Sequence, residues 1–343
     1  MVQHAFFELE NLFARLNKNK DPLVELNKII DWKIFDTPLK KFFDAIPHKS
    51  DSGRKVIFQP LMMFKILVLQ SLYNLSDAET EHQLRDRLSF MRFIGLTPSD
   101  LVPDEKTIWL FRDKLSDAGL DKELFRKFDE HLTKRGFTAR KGQIIDASFV
   151  KVPVQRNTRD ENAQIKEGQA PADWPDNKRE QKDTDARWAV KNGKNYFGYK
   201  QHIEIDAEHG FVREYEVTDA SVHDSQVFME LLDEDNTSRD VWADSAYYSK
   251  QHLDSLKAFG YREHIQRKGN RGKALSAQHK KGNKTRAKVR ALVEHVFGGQ
   301  HMMMRGKTIL RSIGKIRCSF VIGLRLLAYN MRRLVGIAVC CGR

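Results

Sequence analysis

One change of period, near Gly142, constrains this chain more than any other feature of its 343 residues. Before that point the apolar residues recur at helical spacing. The segment FQPLMMFKILVLQSLYNLSDAETEHQLRDRLSFMRFIGL is built of helix formers and holds no proline after Pro60, so it predicts helix rather than strand. Ser76 followed by Glu79 marks the start of a second helix. Pro103 and Asp104 open another, with apolar positions at Ile108, Leu110, Phe111 and Leu115. Residues 1–135 thus read as a helical N-terminal domain. Short helices joined by tight turns suit a helix-turn-helix that enters a DNA groove, and equally suit a plain bundle or a dimer interface.

After Gly142 the spacing becomes that of strands. GQIIDASFVKVPV alternates and is rich in Ile, Val and Phe. A polar stretch follows at about 155–195, dense in charged and amide residues and carrying Pro171 and Pro175, and reads as a loop or flexible excursion without a regular core. YKQHIEIDA and FVREYEVTD are two strands, with Glu208-His209-Gly210 as their hairpin connection. Next come a helix from near His223 (HDSQVFMELLDE), the short strand RDVWADSAYY, the helix SKQHLDSLKAFG and the strand YREHIQ. The chain ends with the helix KTRAKVRALVEHVFG and a last helix at about 316–336. This order predicts an α/β domain over 136–343, a mixed sheet with flanking helices of the ribonuclease-H-like kind.

Charge narrows the partners. There are 59 Lys and Arg against 46 Asp and Glu, a formal net charge of +13, which favours an anionic partner, nucleic acid first and membrane surface second. Most of the excess is local. Between Arg262 and Arg290 lie eleven basic residues and one acid, Glu263. The middle, RKGNRGKALSAQHKKGNK, is rich in Gly, Asn and Lys and predicts a mobile loop. A flexible cationic loop fits backbone phosphates, through Arg267, Lys268, Arg271, Lys273, Lys280, Lys281, Lys284, Arg286, Lys288 and Arg290. The same loop also serves as a plain solubilising segment. Because it is a Gly-rich loop and not an amphipathic helix, it argues against a membrane-surface role. Cys318, Cys340 and Cys341 have neither zinc-type spacing nor a disulfide framework, which disfavours a zinc nuclease. CSFVIGLRLLAYNM is interrupted by Arg325 and is too short to span a bilayer. With no secretory pattern at MVQHAFFELENLF, a soluble cytoplasmic protein, nucleoid-associated in a bacterium, is expected.

Three acids stand where chemistry would use them. Asp146 interrupts the β-formers of IIDASFV, where a carboxylate is costly unless that face is wet or a cation satisfies it. Asp244 ends the apolar strand VWAD, a common place for a turn-forming Asp and also where sites assemble in open α/β sheets. Glu294 lies beside the stripe of Val289, Leu292, Val293 and Val296, one turn after Arg290. It makes either a surface ion pair with Arg290, worth a few tenths of a kcal/mol, or a metal ligand. Together they supply the hard oxygen donors that Mg²⁺ or Mn²⁺ prefers. Two such ions can serve an in-line displacement at phosphorus.

The ordered blocks IIDAS, KNGKNYFGYKQHIEID, VTDASVHDSQ, VWADSAYYS and RALVEHVFG, after the helical FQPLMMFKILVLQSLYNLSD and PDEKTIWLFRDKL, resemble bacterial DDE transposases of the insertion-sequence-five family, within the insertion-sequence-four superfamily. The resemblance covers most of the chain. It implies a ribonuclease-H-like core and Asp146, Asp244 and Glu294 as catalytic and metal-binding triad, with two Mg²⁺ ions that Mn²⁺ can replace. It further implies cleavage at the ends of a mobile element, strand transfer into target DNA, double-stranded DNA as partner and a homodimer that joins two ends. Lys200, His202, His223 and Asp224 fall in matching blocks as supporting groups, with a structural role also open to the histidines. In the superfamily's final motif Arg290 and Glu294 keep their spacing. Ala287 stands at the Tyr position and His301 at the Lys position, with Arg305 and Lys307 further on. Two other readings remain, a nuclease of the same fold that only hydrolyses DNA and a non-catalytic DNA-binding relative. The presence of all three acids disfavours the second.

Overall fold

The computed structural model describes residues 10–11, 13–14, 16–18, 21–45, 58–168, 170–269, 274–306 and 309–341. Arg271, Lys273 and Lys307 of the sequence reading lie outside the described residues. The chain divides into two compact units, residues 1–128 with 327–343, and residues 129–326.

The first unit is helical, as the period required. Its helices include α1 (Pro22–Ile29), α2 (Lys33–Asp44), α3 (Pro60–Tyr73), α4 (Asp77–Asp86), α5 (Leu88–Ile94) and α6 (Glu105–Asp117). Their boundaries follow local chemistry. Pro60 opens α3, and Asn74 in a left-handed conformation closes it. The Ser76 hydroxyl accepts the Glu79 amide and starts α4, and the Asp104 carboxylate accepts the Thr107 amide and starts α6. Helix α3 is apolar nearly all round and runs through a core of Phe35, Phe64, Leu67, Phe90 and Leu115.

Helix α7 (Leu120–Lys134) leads into the sheet unit. There the strands are β1 (Gln143–Lys151), β2 (Arg187–Lys191), β3 (Lys194–Asp206), β4 (Val212–Asp219), β5 (Asp240–Ala243) and β6 (Arg262–Ile265). The order across the sheet is β2-β3-β1-β5-β6, with β4 also on β3. Pairs β1–β3, β2–β3 and β3–β4 are antiparallel, whereas β1–β5 and β5–β6 are parallel. This is the mixed sheet of a ribonuclease-H-like core. Two glycines are needed where β1 meets its neighbours. A Cβ at Gly142 would stand 2.4 Å from the Asp240 carbonyl oxygen, and one at Gly198 2.3 Å from that of Val150.

Three expectations are corrected. The stretch 155–195 is not a structureless loop: it folds into α8 (Arg159–Lys166), α9 (Asp176–Gln181) and strand β2. It is held by polar staples that apolar periodicity does not reveal. A Thr158–Glu161 capping box starts α8, and Glu161 also accepts from Trp174 Nε1 at 2.7 Å and pairs with Lys178 at 2.6 Å. Trp174 and Ile165 are buried beneath them. The helix expected from His223 is only a 3-10 turn, Asp224–Val227. Successive three-residue bonds, Gln226 to His223, Phe228 to Ser225 and Leu232 to Met229, let Val227, Phe228 and Leu231 all drop into the core against β1 and β5. The cationic stretch is likewise not one mobile loop. Helix α11 (Ala277–Met303) begins at the Ser276 cap and already contains Lys280 and Lys281, ahead of the start expected at Lys284, while Lys284, Arg286, Lys288 and Arg290 lie on it as the pattern put them. Helices α10 (Lys250–Ala258) and α12 (Lys315–Cys341) stand where the pattern put them. No helix of the described residues is long and apolar enough to cross a membrane.

Candidate active site

Sheet register builds the site. Ile145 pairs with Ala243, and Ala243 with Ile265, across three neighbouring parallel strands. The next residue on each strand is Asp146, Asp244 and Gln266 respectively. Parallel partners face the same side, so these three polar residues form a row at the carboxyl ends of β5 and β6, where open α/β sheets assemble their sites.

Helix α11 lies against β1 and β5 on that side. It buries Val293 and Val296 and delivers Arg290 to the row. One guanidinium nitrogen of Arg290 donates to Asp146 Oδ2 at 2.6 Å and the other to Gln266 Oε1 at 3.1 Å. The arginine therefore reaches both ends of the row, with Asp244 on the strand between. The other Asp146 oxygen accepts the Ala147 amide at 2.8 Å. Burial pushes the Asp146 carboxyl above the usual carboxylate range and the neighbouring Asp244 adds to it, while Arg290 pulls the other way. Asp244 also caps the turn Ser245–Tyr247 by accepting the Ala246 amide at 2.7 Å.

Two residues join the site that sequence patterns did not single out. One is Gln266, visible only once the β5–β6 register is known. The other is Tyr247, fully buried, whose hydroxyl has no hydrogen-bond partner among the described residues. Burial and the carboxylates of Asp224, Asp146 and Asp244 push that hydroxyl well up, so it stays protonated beside the acids. Its position three residues after Asp244, on a tight turn, was the available signal.

The remaining candidates separate. Glu294 is exposed on α11, one turn beyond Arg290. Among the described residues no three His, Cys, Asp or Glu side chains are grouped as a metal would need. Lys200 pairs with Asp224 at 2.8 Å and donates to the Val222 carbonyl at 2.6 Å. Lys200 and His202 pair with Phe149 and Ala147, so the pleat turns them to the sheet face opposite Asp146. His202 is fully buried against the Thr218 hydroxyl at 2.8 Å, and burial holds its pKa down at about 4. The ring of His223 accepts the Ser225 amide and caps its turn.

Two family profiles match: the Transposase domain (DUF772) over residues 10–114, and the Transposase DDE domain over residues 138–331, more than half of the chain. The chain is a DDE transposase. It therefore acts on DNA by cleavage and strand transfer. Among solved structures, the transposase is similar to a piggyBac transposase, determined by cryo-EM as a synaptic complex with hairpin DNA. The TM-score is 0.45 at 10% identity, over 94% of this chain and 76% of that one.

DDE transposases use divalent metal, and the residues at the row fit such an ion. Asp146 and Asp244 are hard oxygen donors side by side, and a nearby cation offsets the burial of the Asp146 carboxylate, a part here taken by Arg290. The basic residues of the transposase differ in what they meet. Lys268, Lys280, Lys281, Lys284 and Lys288 are exposed, and Lys281, Lys284 and Lys288 follow one helical face. Arg267 is instead paired with Glu263 and lies 4.4 Å over the Tyr248 ring. Arg262 is paired with Asp240 at 2.7 Å.

Proposed function

We propose that Asp146 and Asp244, with Glu294 as the third acid, form the catalytic and metal-binding set of this transposase, and that it cuts at the ends of an insertion sequence of the insertion-sequence-five family. The observation that carries this reading is the polar row, two aspartates placed side by side by register with Arg290 of the Glu294 helix reaching across it. Two Mg²⁺ ions, replaceable by Mn²⁺, would activate a water or 3′-hydroxyl and stabilise the leaving oxygen when bound there. Asp146 and Asp244 hold the pair, and Glu294, one turn from Arg290, completes one site. Arg290 passes from Asp146 to the phosphate of the scissile strand. Arg286 and the exposed stripe of Lys281, Lys284 and Lys288, with Lys280 and Lys268, fix the backbone beside it by charge rather than by sequence. Tyr247, and behind the sheet Lys200, Asp224 and His202, keep the strands that carry the acids in place. The helical domain at 1–135 binds element ends and joins two copies as a homodimer, in the cytoplasm where the DNA lies.

The test is cleavage of a duplex carrying the element's own ends, with Mg²⁺. Asp146→Ala, Asp244→Ala and Glu294→Ala should each abolish cleavage and leave DNA binding nearly intact. Variants that still cut would remove that residue from the set, and loss of binding together with cleavage would make its role structural. A joined product with target DNA separates strand transfer from simple hydrolysis.

A further inference from the structure

The segment Trp188–Tyr196 projects from the sheet as a two-stranded ribbon, with Arg187 and the buried Phe197 at its base. Residues 194–197 of β3 pair with β2, while β1 and β4 join β3 only from Gly198 and Tyr199 onward. A tight turn at Asn192-Gly193, both with positive φ (52° and 72°), closes the tip. Such a ribbon with both faces wet is marginal alone. Stacking of Phe149 on Tyr196, with ring centroids 4.3 Å apart, anchors its base.

Its two faces are unlike. On one, Lys191 and Lys194 stand directly opposite each other, a like-charge pair that destabilises a hairpin. Lys151 and Lys191 also crowd the anchoring stack, 5.3 Å and 5.8 Å from the Tyr196 and Phe149 rings. No acid occurs from Arg187 to Ile203. On the other face Trp188 and Val190 are 51% and 72% exposed. A thin, doubly exposed ribbon with unneutralised lysines and a half-exposed indole, backed by Phe197, fits a polyanion with a groove.

We propose that this ribbon is a second DNA-contacting element of the transposase, entering the groove of duplex DNA with Lys191 and Lys194 on phosphates and Trp188 against sugar or base edges. A two-stranded ribbon fits the major groove, about 12 Å wide. The proposal rests on duplex DNA being the substrate but not on the assignment of the catalytic acids.

The experiment is fluorescence anisotropy of a labelled duplex titrated with full-length protein over a range of salt. It compares wild type, Lys191→Gln/Lys194→Gln, Trp188→Ala and Asp146→Ala, with thermal melting as a check on folding. Loss of two phosphate contacts should reduce the slope of log affinity against log salt by about 1.8. Trp188→Ala should weaken binding several-fold with the slope kept. Unchanged slope and affinity in folded ribbon variants would overturn the proposal. So would a Trp188→Ala effect confined to self-association in sedimentation, which would make the ribbon a contact between copies. Normal binding by Asp146→Ala with weakened ribbon variants separates the ribbon from the acid set, and a wild type that binds no duplex overturns both readings.

Discussion

Glu204 offers the sharpest test of the electrostatics beneath the site. It lies on β3 opposite Ile145, one position from Asp146 on β1. The side chain is fully buried and neither carboxylate oxygen has a hydrogen-bond partner among the described residues. Burial, with Asp233 and Asp206 nearby, pushes its carboxyl well above the usual range, and Arg213 offsets this only in part. The folded protein thus keeps a proton that the unfolded chain releases near its ordinary value of 4.5. Stability from this group is complete below that value and falls as pH rises toward the folded one. While the folded protein keeps that proton and the unfolded chain has released it, stability falls by about 1.4 kcal/mol per pH unit above the ordinary value. Glu204→Gln keeps the shape and removes the titration. Urea unfolding of both proteins as pH rises above that value should show the Gln variant gaining on wild type by about 1.4 kcal/mol per pH unit. A difference that does not change with pH would refute the reasoning, because an ionised or solvated Glu204 gives no such slope.

Four further outcomes are expected. His202 has the opposite sign: its folded pKa of about 4 lies below the ordinary 6.5, so its contribution is full above that value and is lost as pH falls toward the folded one. His202→Gln should flatten the acid limb of the urea-stability profile by about 1.4 kcal/mol per unit in that window. Arg290→Met should cost about 3 kcal/mol in urea unfolding by leaving Asp146 buried without its cation, and a variant as stable as wild type would show that the pair is not formed. Gly198→Ala should cost at least about 2 kcal/mol and lower cleavage with stability, since its Cβ meets the backbone of both Val150 and Val152, at 2.3 Å and 3.0 Å. Chelation by EDTA should stop cleavage while gel-shift binding persists, and added Mg²⁺ or Mn²⁺ should restore it.

What was legible in the sequence is what has a period or a cap. Apolar spacing showed the helices around Phe64 and Ile108 and the strands that carry Asp146 and Asp244, because burial of one face repeats along each element. The small fold at 155–195 was hidden because Glu161, Trp174 and Lys178 hold it by polar bonds across unevenly spaced positions. Gly282 and Asn283 disguised the start of α11. Asn283 is helical and exchanges side-chain bonds with both the amide and the carbonyl of Arg267, a long-range pairing that composition cannot register. At the site, Asp146 and Asp244 stood out as acids among β-formers. Gln266 and Tyr247 did not, because what matters for them is a register and a turn, neither of which is local to their own residue type.

The row also connects folding to function through Arg290. With Arg290 in place, both Asp146 oxygens are engaged, one by the guanidinium and one by the Ala147 amide. The same guanidinium is tied to Gln266 on the far strand. A metal held by Asp146 on the proposed reading would compete with Arg290 for the same carboxylate, and a guanidinium leaves a buried carboxylate readily only if another anion receives it. A DNA phosphate is such an anion, bidentate geometry included. Substrate binding would then remove the surrogate cation at the step where it creates the need for a real one. Glu294, carried one turn away on the same helix, is placed so that any shift of α11 accompanying this exchange moves it together with Arg290.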